Sequence, residues 1–209
     1  SRYGGVQGYW VDEGTAPTAT NVKFRKVELK LRKVMALGYA TDELMADAVA
    51  LGAIMTDAFA SELQFLVEDA IINGTGAGQP LGIINADALV SVAKETAQPA
   101  NTVVYDNVIK MFARMLPQSI ARAVWVVNPN VFPQLAAMSL AIGTGGSAVW
   151  MSNVVGGPPA TILGRPVIFS EKCQTLGTAG DIYFVDFGYY LIGDRMALQM
   201  ASSPHVRFN

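Results

Sequence analysis

TDELMADAVALGAIMTDAFASELQFLVEDAIING, residues 41–74, is the stretch on which the fold turns. Leu44, Ala48, Leu51, Met55, Phe59, Leu63, Leu66 and Ala70 recur at three- and four-residue steps, the spacing that lays apolar side chains along one side of a helix. Thr41 can cap its start through a hydroxyl that accepts an otherwise unpaired backbone N–H, and Asp42 and Glu43 then favour the positive end of the helix dipole. Asn73-Gly74 is a stop signal. The stretch predicts a helix of about 30 residues, roughly 45 Å long, with a bend or break expected near Gly52. A helix of that length acts as a spine for whatever packs around it.

Upstream the period changes. Val27, Leu29 and Leu31 alternate with Glu28, Lys30 and Arg32, and Met35, Leu37 and Tyr39 keep the same parity. This predicts a long half-buried strand with a charged outer face. Residues 1–21, rich in Gly, Thr and Ala, carry Tyr3, Tyr9 and Trp10 but no core-forming period, and read as one arm of an extended loop or ribbon. Aromatics on such an arm are either anchors on a partner surface or cross-strand pairs of a hairpin.

Downstream, Gly74–Gly82 (GTGAGQPLG) is a glycine-rich turn. A β-rich tract is expected around Leu89–Val92 and Thr102–Val104, then an amphipathic helix over Asp106–Leu116 ended by Pro117. Ala123–Val127 reads as a buried strand, Pro129–Met138 as a short helix, and Gly143–Pro159 as a loop of small residues. Further strands are expected at Arg165–Phe169, Ile182–Val185, Tyr189–Ile192 and Ala197–Met200. Strands interleaved with helices make this a mixed α/β chain, of the α+β class.

The 209 residues suffice for a proper core. Apolar residues make up 51% and charged residues 15%, against about a quarter charged in ordinary globular chains, and mean hydropathy is +0.31. No stretch approaches the ~20 uninterrupted apolar residues of a membrane span. The apolar surplus therefore belongs in cores or in contacts between chains, since obligate interfaces resemble a core cut in half. Net charge is −2, which marks no general nucleic-acid binder. Its distribution is uneven: Lys23, Arg25, Lys26, Lys30, Arg32 and Lys33 are six of the 15 basic residues, whereas Asp42 to Asp69 holds seven acids and no Lys or Arg. These are either two surfaces that meet or two solvated faces of unlike sign.

Catalytic chemistry finds little support. GTGAGQPLG follows a helix and contains no Lys, whereas a phosphate loop follows a strand, opens a helix and supplies one. His205 is the one histidine and Cys173 the one cysteine, too few for a standard zinc site. No Gly-x-Ser-x-Gly elbow is present for a Ser–His–acid triad. Cys173 permits no intrachain disulfide, which points to a reducing, intracellular origin, and a lone buried cysteine is inert. Trp125, Trp150, Phe59 and Phe65 read as packing. No catalytic residue, cofactor or metal site is expected.

The ordered set YWVDEGTAPTATNVKFRKVELKLRKVMALGYATDELMADA, FLVEDAIINGTGAGQPLGIIN, VWVVNPNVFPQL, ILGRPVIFSE, LGTAGDIYFVDFGYYLIGDR and SSPHVRF resembles the major capsid proteins of tailed phages, whose shared fold is named after the phage Hong Kong 97. The resemblance runs from Gly8 to Asn209. It implies that residues 1–31 are the distal part of an extended loop reaching over a neighbour, and that 32–83 form a peripheral domain with the spine helix. Residues 84–188 would then be an axial domain, and 189–209 a return to the peripheral domain. The lack of an initiator Met and the strand-like text at Asn209 agree with a piece of a longer subunit. Some relatives join a loop Lys to an Asn of another subunit; here Gly14 and Pro17 stand where the Lys is expected, so that activity is not carried over.

The function so implied is a structural subunit of an icosahedral double-stranded-DNA capsid, assembled in the host cytoplasm and residing in the virion. Its main partner is itself, in pentamers and hexamers, with a portal, a scaffold or maturation protease and a decoration protein as further partners, packaged DNA contacted non-specifically, and no membrane. Tyr9, Trp10, Lys23, Arg25, Lys26, Lys30, Arg32 and Lys33 are the candidate subunit-interface residues. A bacterial nanocompartment shell of the same fold remains an alternative, separated by an enzyme cargo in place of DNA. A soluble α/β enzyme is a further one, separated by turnover that depends on His205.

Overall fold

The computed structural model describes residues 8–16, 19, 21, 24, 26–41, 51–140, 147–148 and 161–201. The chain divides into two units, Ser1–Lys30 and Leu31–Asn209. In the first, Thr15 N–H donates to the Asp12 carbonyl at 3.1 Å, closing a turn that requires Gly14 at φ +88°.

The second unit contains the long helix α1, Leu51–Asn73. Gly52 is its second residue, and Thr56 Oγ1 donates back to the Gly52 carbonyl at 2.7 Å; the chain just before Leu51, where a bend near Gly52 would show, lies outside the described residues. Thr41 is described but Asp42–Ala50 are not, so the expected cap and first turns lie outside the described residues. At its C-terminus α1 runs into the glycine-rich loop, which turns back on itself. Gly82 N–H donates to the Gly74 carbonyl at 2.7 Å, Gly76 N–H donates to the Pro80 carbonyl at 3.2 Å, and Thr75 and Leu81 form a β-bridge. A Cβ at Gly74 would strike the Pro80 and Ala70 carbonyl oxygens, and one at Gly82 the backbone of Gly74 and Ile72. These glycines serve close backbone approach, not phosphate binding.

Beyond this loop come α2 (Tyr105–Arg114), α3 (Pro117–Ile120), β1 (Val124–Val127) and α4 (Phe132–Ala137). Then follow the short pair β2 (Ser139–Leu140) and β3 (Ser147–Ala148), β4 (Thr161–Ile162), β5 (Arg165–Phe169) and β6 (Ile182–Val185). The main sheet has the order β4-β5-β1-β6, with β1 parallel to β5 and antiparallel to β6. Register places Trp125 beside Val167 and Phe184 on one side, and Val126 beside Ile168 and Tyr183 on the other. The first side makes the larger core: Trp125, Val127, Val108, Val131 and Leu135 are buried, with Phe112 and Phe184 packed against them. The Trp125 and Phe184 rings stack at 4.2 Å, and Trp125 Nε1 donates to the Ile162 carbonyl at 3.0 Å, so the indole N–H is not stranded. The second side is covered by Ile72 from the end of α1, by Cys173, and by Ile83 and Ile84.

The strands expected at Ala123–Val127, Arg165–Phe169 and Ile182–Val185 are present, the first as Val124–Val127; the helix expected over Asp106–Leu116 is present as Tyr105–Arg114, and the mixed α+β class stands. Five expected β segments are not found among the described residues. Residues 26–40 form no ladder, and Val27, Leu29, Leu31, Met35, Leu37 and Tyr39 are all exposed. Residues 89–92, 102–104, 189–192 and 197–200 likewise carry no strand. Alternation describes which side of a ribbon is apolar, but a ladder also needs a neighbouring backbone, and the described residues of this single chain supply none to these segments. Val103 instead packs inward and Val104 leads into α2. The loop expected over 143–159 falls mostly outside the described residues, as does Trp150.

Candidate functional site

The candidate interface residues occupy both units. Tyr9 and Trp10 are exposed, Trp10 at 105% accessibility. Lys23 and Arg25 lie outside the described residues; Lys26, Lys30, Arg32 and Lys33 are all exposed. Arg32 differs from the rest because its Nη2 donates to the Gly76 carbonyl at 3.4 Å, tying residues 31–41 to the loop after α1. Gly38 belongs to the same contact, since a Cβ there would meet the Phe59 ring.

The apolar surface supplies what the charge pattern does not. Of the 23 residues of α1 only Ala70 and Ile72 are buried, while Ile54, Phe65, Leu66 and Val67 are exposed. Phe65, expected as packing, is 53% accessible, whereas Trp125 is fully enclosed. Tyr189, Leu191, Ile192, Met196, Leu198 and Met200 extend the exposed apolar set. Large exposed apolar patches are characteristic of surfaces that contact other molecules.

A polar joint fastens α1 to the sheet. Asn73 Nδ2 donates to the Lys172 carbonyl at 2.7 Å and to Asp69 Oδ1 at 2.8 Å, and its Oδ1 accepts from Gln174 Nε2 at 3.3 Å. Asn85 Nδ2 donates to the Gly74 carbonyl at 3.0 Å, a second donor to the oxygen that Gly82 N–H also reaches. Nearby, Asn128 Nδ2 donates to the Cys173 carbonyl at 2.6 Å. Burial, reinforced by the charge of Asp181, pushes the Cys173 thiol up to about 11, which removes the thiolate a nucleophile needs. Burial pushes the Tyr183 phenol up to about 12, with Cys173 and Asp181 adding to it. Asp186 is held below the usual carboxylate range chiefly by the backbone N–H of Gly188, then by Ser119 and by Arg122, whose Nη2 is 3.0 Å away. His205 lies outside the described residues.

Among the described residues no cluster of three or more His, Cys, Asp or Glu could hold a metal ion, and no helix is long and apolar enough to cross a membrane. Sequence reasoning missed the groove between α1 and the segment after β5, where Phe65, Phe169 and Lys172 converge. The signal for it was weak: Lys172 is an isolated cation between Glu171 and Cys173.

A family model described as the phage capsid family matches residues 1–209. The chain is 25% identical over 209 residues to a capsid polyprotein of Pseudomonas phage PAJU2; the match takes in 97% of this chain and 30% of that protein. Among solved structures it is similar to the capsid of an empty GTA particle computed with C5 symmetry, with a TM-score of 0.68 and 20% identity over 87% of this chain and 65% of that one. The capsid of a native GTA particle is similar with a TM-score of 0.55, at 20% identity over 71% of this chain and 53% of that one. The chain thus spans under a third of the polyprotein and about two thirds or less of the solved chains, and the structural likeness shows the fold.

Proposed function

Since the chain belongs to the phage capsid family, a family of shell proteins and not of enzymes, we propose that it is the structural subunit of a phage-like capsid and works by assembling with copies of itself into pentamers and hexamers around a double-stranded genome. The observation that carries this reading is the family match over the whole chain. The exposed apolar surface of α1 and of residues 26–40 and 189–200 supports it, because neighbouring subunits would remove that surface from water. In the proposed division, 1–31 is the extended loop, 32–83 the peripheral domain, 84–188 the axial domain and 189–209 the return. The break between units at Lys30 and Leu31 and the enclosed sheet within 124–185 support this division.

Head-to-tail contacts between identical subunits close into rings when the rotation fits, and many weak contacts hold each subunit at once. The exposed Lys26, Lys30 and Lys33, with Lys23 and Arg25 in the same run, would meet acidic surface on an adjacent subunit. Tyr9 and Trp10 would anchor the loop there. Assembly takes place in the host cytoplasm, with a portal, a scaffold or protease and a decoration protein as partners. Contact with packaged DNA is non-specific and salt-sensitive.

Negative-stain electron microscopy with light scattering, on the full-length protein expressed alone and with its neighbouring genes, tests the reading. Closed shells or rings of five and six subunits are expected. A monodisperse monomer under every condition would overturn it. Shells that enclose an enzyme in place of DNA would identify a nanocompartment.

A further inference from the structure

Asn73-Gly74 is the one Asn-Gly pair in the sequence, and the fold has a separate use for each member. Asn73 reaches from the last turn of α1 to the Lys172 carbonyl and the Gln174 amide. Gly74 must lack a Cβ, because one would strike the Pro80 and Ala70 carbonyl oxygens. The two demands together create a chemically labile pair. A backbone nitrogen can attack the side-chain carbonyl of an asparagine that precedes it, and a glycine brings no side chain to hinder the approach.

In that reaction the Gly74 nitrogen gives up its proton and bonds to Asn73 Cγ. The Cγ–Nδ2 bond breaks, and Nδ2 takes up the proton and leaves as ammonia. Water then opens the resulting cyclic imide at either carbonyl. One product is aspartate; the other is isoaspartate, whose backbone runs through the former side chain. Solvent water is the only co-reactant.

The closed joint opposes every part of this. Asn73 is helical, and ring closure requires the peptide group that follows it to turn about the Asn73 Cα–C bond. That group is held at both ends, since Gly74 N–H donates to the Ala70 carbonyl at 3.0 Å and Asn85 Nδ2 donates to the Asn73 carbonyl at 3.3 Å. The leaving amide is held too, with Nδ2 donating to Asp69 Oδ1 at 2.8 Å and to the Lys172 carbonyl at 2.7 Å. Gly74 itself is buried. Either product, once formed, cannot remake the joint. An aspartate at 73 has no N–H for Asp69 Oδ1 or the Lys172 carbonyl, and its charge faces that of Asp69. Isoaspartate lengthens the backbone by one carbon at a point where Gly74 has no room for another.

We propose that Asn73 is a self-modifying site gated by the joint between α1 and the sheet: it loses its amide in subunits whose joint has opened, and the product keeps the joint from closing. A transient opening thereby becomes a permanent one, the chemical route by which a reversible excursion turns irreversible. This inference concerns the single subunit and is independent of the capsid reading.

The test ages the full-length protein at neutral pH, native and in urea, and follows the peptide spanning 73–74 by mass spectrometry, with isoaspartate separated from aspartate by chromatography. In urea, conversion at Asn73 is expected to outrun that at every other asparagine. In the native protein it should be at least roughly tenfold slower, because the reaction must wait for the opening. Equal native and unfolded rates overturn the inference. In urea below the unfolding midpoint, the native rate should climb less steeply than the unfolded fraction, since opening the joint exposes less surface than unfolding the subunit. Equal slopes would place the gate in global unfolding and overturn the inference as well. Finally, a half-converted sample is refolded and its compact fraction isolated by size-exclusion chromatography. Converted chains should be depleted there or, where compact, show fast amide exchange over residues 170–174. Converted chains that are equally abundant in the compact fraction, and equally protected, refute the claim that the product holds the joint open.

Discussion

Gly82 is the residue with the least room. A Cβ there would run into the Gly74 nitrogen and the Ile72 carbonyl, backbone atoms that cannot rotate away. Gly82→Ala is therefore expected to destabilise the subunit by about 3 kcal/mol or more, read from urea unfolding; a change below about 0.5 kcal/mol would mean that the loop is not closed as described. Cys173 and Tyr183 set a pH dependence at the same scale. Both groups are raised in the fold, from 9.0 to about 11 and from 10.0 to about 12, so the unfolded chain releases these protons first. Their contribution is complete below pH 9 and is lost as pH rises through 11 and then 12. Thermal melts should fall across that alkaline window, and the combined Cys173→Val and Tyr183→Phe variant should flatten the fall. A variant with an unchanged alkaline slope would refute the assignment.

At the scale of elements, the joint between α1 and the sheet hangs on Asn73. Asn73→Ala strands the Lys172 carbonyl and the Gln174 amide, which are part-buried, and each unsatisfied buried group costs about 1–3 kcal/mol. The expected signature is local: amide exchange should accelerate in the last turn of α1 and in residues 170–174 while β1 stays protected. Uniform acceleration throughout would show that the joint does not open separately. Here the sequence was informative in one direction only. Asn73-Gly74 announced the end of the helix, and the glycine run announced a turn, since both are local chain chemistry. That Asn73 would reach a carbonyl 99 positions away was not legible, because such a bond depends on how the sheet is ordered and nothing in the local pattern encodes the order β4-β5-β1-β6.

For the whole molecule, the basic run is expected to act between subunits. Reversing charge at Arg25 and Lys26 should leave the melting curve of the isolated subunit within about 0.5 kcal/mol of the parent. It should also cut the yield of closed shells, with the loss read by light scattering. Raising salt from 0.1 M to 1 M shortens the screening length from about 10 Å to about 3 Å, so assembly of the parent should weaken as well. Full assembly of the reversed variant would remove the basic run from the interface. The sequence by itself determined the elements whose periods are local: the long apolar helix, the buried 124–127 strand, the 165–169 and 182–185 strands, and the poverty of catalytic chemistry. It also placed a surplus of apolar residues in a chain of low charge, the composition expected of a chain that contacts others. Only the tertiary structure decided which of those apolar residues are enclosed and which remain open. Trp125 disappears between sheet and helices while Phe65, equally apolar, stands at a groove with Lys172. The alternating residues of 26–40 form no ladder for the same reason. Burial and pairing are properties of neighbours in space, and a pattern along the chain states what a residue prefers without supplying the neighbour.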